Sequence, residues 1–339
     1  MAEVITMRCP VCDGHQFSLG TTVMDDRYGE PNHYRLAHCQ ACDHLATAPR
    51  LTEAELPGLY GRYYPRKDIT SEDVRRQAAD AAKPFARWIR WCKGTDNQGQ
   101  YGVRPGESML DVGCGSGVSL LEAAALGASA FGIEADPNVK PIASALGLHI
   151  HFGSLHDNPF PDRRFDLVVM NQVIEHLPDP DIALQRLADR LTHQGRLILV
   201  FPNTSSLWRH LFGIRWINWH IPYHLHHFDL AHFSRMATRC GLRVVRSRTV
   251  TPNLWTLLGL RTWRHSPSLG QPSPIWQVSR SLNSPGSAPN QASSLTARAR
   301  VRTVLLGVLL TLSGVINRLV DALGWGDSLV VELRREAAS

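Results

Sequence analysis

Hydrophobic and polar positions follow two rhythms along the middle of the chain. Short apolar runs recur at Met109-Leu110-x-Val112, Ala130 to Ile133, Leu148 to Phe152, Phe165 to Met170 and Leu197 to Phe201. Their length and lack of polar interruptions predict buried strands. Between them, Val118 to Leu126 and Asp179 to Leu191 have helical spacing and good helix formers. An amphipathic helix (Leu230, Phe233, Met236, Ala237, Cys240) stops at Gly241, and Leu242 to Arg246 reads as a strand. Ser328 to Leu333 is a last strand-like run. Seven strands alternating with helices predict an α/β sheet domain. Ahead of it, Ser71 to Cys92 is helical with a break at Pro84, and Phe85, Trp88, Ile89 and Cys92 share one face.

The first strand runs into three glycines at alternate positions, Gly113, Gly115 and Gly117, and then into a helix. Glycines allow a sharp turn and close approach of a ligand, and a helix start offers free N–H groups. A dinucleotide fingerprint would need a sixth-position glycine, and Val118 stands there. The second strand ends in Glu134-Ala135-Asp136, where an acidic residue can accept from two ribose hydroxyls.

The run Asp111-x-Gly113-x-Gly115-x-Gly117, with Glu134 and the Asn171-Gln172-Val173-Ile174-Glu175-His176 stretch, resembles the Rossmann-like S-adenosylmethionine (SAM)-dependent methyltransferases over roughly residues 105 to 250. The resemblance implies a seven-stranded, mostly parallel sheet with an antiparallel last strand. It also implies SAM held by Asp111, Gly113, Cys114, Gly115, Gly117, Glu134, Ala135, Ser154 and Asn171. The family often has an acidic residue just after the third strand, to meet the adenine amino group. Ser154 occupies that place here, so adenine would rest on backbone groups, Leu155 or His156.

Of seven cysteines, four form two C-x-x-C pairs, Cys9/Cys12 and Cys39/Cys42. Such pairs can supply four thiolates to one tetrahedral zinc ion, in a closed and therefore structural site. With Phe17 to Leu19 and His33 to Ala37 as short strands, residues 1–60 resemble a zinc ribbon. The cysteine pattern fits a reducing compartment, and the amino terminus lacks a secretory signal, so a cytoplasmic protein is expected. Residues 61–104 form a helical connector and cofactor cover, and at its start Tyr60, Tyr63 and Tyr64 are aromatics for covering or packing.

The segment from Asn203 to Phe228 is too long and too aromatic for a plain connection. It resembles the lid that covers the acceptor in family members with such an insertion; a packed helical hairpin is the alternative. Residues 251–327 insert between the last two strands, with a Pro/Ser-rich loop at 264–300 and an uncharged stretch at Thr303 to Asn317. That stretch is too short to span a bilayer. Packing of its Leu and Val side chains on the domain is expected, with peripheral membrane contact as the alternative. Residues 328–339 are the final strand and tail.

An oxygen nucleophile must lose a proton, and histidine suits this. His176 and His224 are the candidate bases, with His226 and His227 on the same segment. The reading is O-methylation of a small-molecule, glycan or lipid-linked sugar acceptor. RNA methylation is the second reading, although Arg8, Arg27, Arg35 and Arg50 of the cysteine module are set among five acidic residues. A non-catalytic SAM-binding scaffold is the third.

Overall fold

The computed structural model describes residues 3–64, 69–81, 83, 85–265, 267–276 and 297–336, with side chains omitted at 81, 297–306 and 308. In chain order it forms β1 (Val4–Thr6), β2 (Gln16–Met24), β3 (His33–Cys39), β4 (Leu45–Ala48), α1 (Leu56–Arg62), α2 (Ser71–Ala81) and α3 (Ala86–Lys93). Then come β5 (Ser108–Val112), α4 (Val118–Ala125), β6 (Ser129–Glu134), α5 (Lys140–Leu146), β7 (His149–Phe152) and β8 (Phe165–Asn171). The remainder is α6 (Pro180–Asp189), β9 (Leu191–Pro202), α7 (Leu207–Phe212), β10 (His226–His227), α8 (Leu230–Arg239), β11 (Leu242–Val250), α9 (Asn253–Arg264), α10 (Ala297–Ala322) and β12 (Ser328–Arg335).

Seven strands make one sheet in the order β11-β12-β9-β8-β5-β6-β7. β5 runs parallel to β6 and β8, and β12 runs antiparallel to both β9 and β11. The apolar runs are explained by burial on both faces: Met109, Leu167, Leu197 and Val331 are fully enclosed. The chain leaves β5 toward β6 and β7 on one side and returns through β8 and β9 on the other. The carboxyl end of β5 is therefore a switch point, where such sheets bind ligands. The three glycines stand there.

The second sheet, β1-β2-β3-β4-β10, is antiparallel. Its last strand comes from the 203–228 segment, with Leu45 opposite His227 and Ala46 opposite His226. Trp208, Trp216, Trp219 and Ile221 bury against Val23, Tyr34, Leu36 and Leu45. The cysteine module is thus welded to the segment expected as a lid.

Two apolar faces point outward, and for the Thr303 to Asn317 stretch this corrects the expectation of packing on the domain. Phe85, Trp88 and Ile89 of α3 point outward, and Phe85 is 78% exposed. The helix docks through its carbonyl end instead: Asn253 Nδ2 donates to Cys92 O at 2.9 Å, and Arg318 donates to Trp91 O. The Thr303 to Asn317 stretch lies within α10, but Leu309, Leu312, Val315 and Ile316 are exposed. Ser313, Gly314 and Asn317 face inward, because α9 presents polar Asn253 and Thr256 to them. No helix among the described residues is long and apolar enough to cross a membrane. Most of the expected 264–300 loop lies outside the described residues.

Candidate active site

The glycine turn has its shape because each glycine has a positive φ: +77° at Gly113, +56° at Gly115 and +84° at Gly117. A Cβ at Gly113 would overlap Val173, and one at Gly117 would overlap Leu148. Those two glycines are required by packing. A Cβ at Gly115 would meet nothing within 4 Å, so Gly115 borders open space. Its N–H donates to Glu134 Oε2 at 2.7 Å, and Asp136 N–H donates to Glu134 Oε1 at 2.8 Å. Glu134 therefore ties the glycine turn to the end of β6. Asp111 lies beneath the turn and accepts from the Ser119 hydroxyl; burial pushes its carboxyl up to about 7.

Val173 touches the glycine turn and belongs to the loop after β8 that carries Glu175 and His176. His176 Nδ1 lies 2.9 Å from the Tyr223 carbonyl and 2.9 Å from the Tyr60 hydroxyl. A carbonyl only accepts, so Nδ1 carries the proton and Nε2 keeps its lone pair. His224 Nδ1 is likewise 2.9 Å from Asn218 O, and its Nε2 is 3.3 Å from His220 Nδ1, which can donate to it. Both Nε2 atoms face Glu175 Oε1, at 3.9 Å from His176 and 3.8 Å from His224. Glu175 is 1% exposed, and neither carboxyl oxygen has a hydrogen-bond partner among the described residues. Burial pushes Glu175 up to about 8 and His176 down to about 4, and it holds His224 and His220 well below the usual imidazole range. Burial thus favours the uncharged form of each of these groups.

Tyrosines wall this cluster. Tyr60 and Tyr64 come from the end of α1, Tyr223 from the 203–228 segment, and Tyr28 from the β2–β3 turn of the cysteine module. Ring centroids are 5.1 Å apart for Tyr60–Tyr64, 5.2 Å for Tyr28–Tyr64 and 5.4 Å for Tyr60–Tyr223. The Tyr60 hydroxyl is held well above its ordinary range by burial, and the carboxylates of Glu175 and Glu134 add to this. The Tyr223 hydroxyl, His220 Nε2 and Asn218 Nδ2 are buried without hydrogen-bond partners among the described residues.

In the module, Cys9, Cys12, Cys39 and Cys42 converge. Sγ atoms are 3.7 Å apart for Cys9–Cys42 and 3.6 Å for Cys12–Cys39, and all four lie within 4.8 Å of one another. Tetrahedral zinc with bonds of about 2.3 Å requires sulfurs roughly 3.8 Å apart. The donor set fits that ion.

Residues 83–247 match the family described as methyltransferase domain. With the glycine turn at the switch point of a seven-stranded sheet, the match decides the assignment. Residues 83–247 are a SAM-dependent methyltransferase domain. Among similar proteins, the mitochondrial ubiquinone biosynthesis O-methyltransferase of Schizosaccharomyces pombe is 32% identical over 104 residues, 28% of this chain and 37% of that protein. The ubiquinone biosynthesis O-methyltransferase of Rhodopseudomonas palustris is 32% identical over 136 residues, 37% of this chain and 52% of that protein. These matches span about a third to a half of the relatives' length. A SAM-dependent methyltransferase from Mesorhizobium loti aligns with a TM-score of 0.41 at 15% identity, covering 68% of this chain and 92% of that one.

Within the methyltransferase domain, Asp111, Gly113, Gly115, Gly117, Glu134 and Ala135 gather at the ends of β5 and β6, as read from the sequence. Cys114 departs from that reading: its thiol packs into the core against Gly132. Asn171 stands at the end of β8, with Oδ1 buried and without a hydrogen-bond partner among the described residues. Ser154 caps a short turn by accepting from His156 N–H. Three residues on, Asp157 Oδ2 accepts from the Ser154 N–H at 2.8 Å and lies 3.0 Å from His151 Nε2. The S-x-x-D spacing of a capping box is the signal that points to it. Of the histidines on the 203–228 segment, His220 and His224 reach the site. His226 and His227 instead face the module, on His44 and Thr47. Tyr28 and the acid Glu175 are site residues that sequence reasoning left without a role.

Proposed function

We propose that the protein is a SAM-dependent O-methyltransferase of a hydroxylated ring acceptor, of small-molecule or glycan type. The observation that supports this most is the open Nε2 of His176 beside a partnerless buried carboxyl, in a loop that touches the glycine turn and inside a tyrosine wall. Open space at Gly115 and the bonded Glu134 fit a ligand carrying a ribose. Bound SAM supplies a methyl on a cationic sulfur, so a neutral thioether departs. The chain's own task is to align an acceptor oxygen, exclude water and take its proton.

His176 Nε2 accepts that proton in this reading. The imidazolium that forms is offset by ionisation of Glu175, whose proton leaves to water. The aromatic wall packs a ring face, while Tyr223, Asn218 and His220 offer unpaired polar atoms to hydroxyl groups. The relatives' printed activity, O-methylation in ubiquinone biosynthesis, supports oxygen as the receiving atom. The five acidic residues among the module's arginines disfavour RNA. Zinc on Cys9, Cys12, Cys39 and Cys42 has a structural role here: it fixes the module whose Tyr28 forms part of the wall.

The test is His176→Gln, which retains a polar group but accepts no proton usefully at neutral pH. It should lower kcat by about 100-fold or more, the usual contribution of a general base, while SAM affinity stays unchanged. An unchanged kcat rules out His176 as the base.

A further inference from the structure

The charge and polarity of α10 are inverted relative to an ordinary surface helix. Its inner side is small and polar. Gly314 packs against Asn253, and Asn317 Nδ2 donates to Thr256 Oγ1 at 2.9 Å. Its outer side carries Leu309, Leu312, Ile316, Leu319 and Leu323, all exposed, with Leu319 at 63%. Their spacing of three, four, three and four residues forms one stripe about 21 Å long at 1.5 Å per residue. A helix facing water would be the other way round.

The surroundings decide what covers the stripe. From Ala297 to Val320 the helix has four arginines and no acidic residue. The first acid, Asp321, is turned inward: it accepts from Thr251 Oγ1 at 2.8 Å and pairs with Arg318 at 2.7 Å. The adjoining α9 ends with Arg261 and Arg264, neither of which forms an ion pair among the described residues, on either side of the half-exposed Trp263. Trp325 is exposed beyond the other end of the stripe. Two copies meeting through this face would bring unpaired arginines together. An anionic bilayer would complement them, and tryptophan prefers the headgroup region.

We propose that the outer face of α10, flanked by Arg261 and Arg264, is a docking surface for an anionic lipid bilayer, with the helix lying flat in the headgroup layer. The uncharged stretch of about 15 residues is short of the roughly 20 needed to cross, so contact is peripheral and salt-sensitive. α9 also reaches the segment that roofs the active site, since Gly259 lies against Phe212. Docking would hold the site close to the lipid.

Flotation of the full chain with vesicles of phosphatidylcholine alone, or of phosphatidylcholine mixed with phosphatidylglycerol, tests this. Wild type should float with the mixed vesicles at low salt, at least tenfold more than with phosphatidylcholine alone, and should be released by high salt. L312D/L319D changes positions that face solvent, so it should fold and melt like wild type yet lose flotation. R261E/R264E should lower flotation on mixed vesicles and leave thermal stability unchanged. The proposal is overturned if wild type fails to float, or if L312D/L319D floats equally well. It is also overturned if light scattering shows a dimer that L312D/L319D dissociates, because a second copy then covers the stripe.

Discussion

Gly115→Ala separates a glycine needed for a ligand from glycines needed for packing. The φ of +56° at Gly115 imposes a left-handed penalty of about 1–2 kcal/mol on any residue with a Cβ. No protein atom lies within 4 Å of that Cβ, so no further packing cost arises. The fold should therefore lose only about 1–2 kcal/mol in urea denaturation. The added methyl occupies the space assigned to SAM, and overpacking costs about 1–3 kcal/mol. Titration calorimetry should then show SAM binding roughly 5- to 150-fold weaker, at 1.4 kcal/mol per factor of ten. Gly117→Ala carries the same backbone penalty plus overlap with Leu148, so its stability loss should reach about 2–5 kcal/mol. If Gly115→Ala binds SAM as tightly as wild type, the open space beside Gly115 is not the cofactor site.

Three further outcomes follow from particular contacts. Protein purified without added metal should contain one zinc per chain, and Cys39→Ser should lose it; a Cys39→Ser protein with full zinc refutes the four-thiolate site. Asp327 accepts from the Ser206 hydroxyl at 2.6 Å and from Trp216 Nε1 at 2.8 Å, both buried. Asp327→Ala leaves two buried donors unpaired and should cost about 2–5 kcal/mol, whereas Asp327→Asn, which keeps an accepting oxygen, should cost less; equal losses would show that the acceptor is not what matters. The third concerns pH. Burial raises Glu175 from about 4.5 to about 8, so the folded chain keeps a proton that the unfolded chain releases. This group's contribution to stability is fully present below about pH 4.5 and is lost as pH rises toward 8. Glu175→Gln cannot lose it, so the difference in Tm should move in the variant's favour between about pH 5 and pH 9; a difference that stays constant with pH contradicts the buried protonated carboxyl.

The sheet domain was legible in sequence because its strands are buried on both faces, which leaves short, wholly apolar runs between helical ones. The glycine turn was legible because three positive-φ positions require glycine. The cysteine cluster was legible from local pair spacing alone. What escaped depends on contacts between distant segments. Tyr28 lies in a turn with no periodicity, and it reaches the site only because β10 joins the module's sheet to the segment carrying Tyr223. Glu175 was visible as a letter beside His176, but its role depends on its having no partner, which only packing reveals. The face of α10 was misjudged for a physical reason. Apolar periodicity identifies a stripe but not its direction, and here Asn253, Thr256 and Asn317 supply a polar seam that turns the apolar stripe of α10 outward.

The central claim is methyl transfer from SAM to the oxygen of a hydroxylated ring. Purified protein incubated with methyl-labelled SAM and cell extract, separated into RNA, lipid and soluble glycan or small-molecule fractions, tests it directly. Label should appear as an alkali-stable methyl ether in the lipid or soluble fraction, and His176→Gln should abolish it. Label confined to RNA, or no transfer to any fraction by protein that binds SAM, would contradict the account.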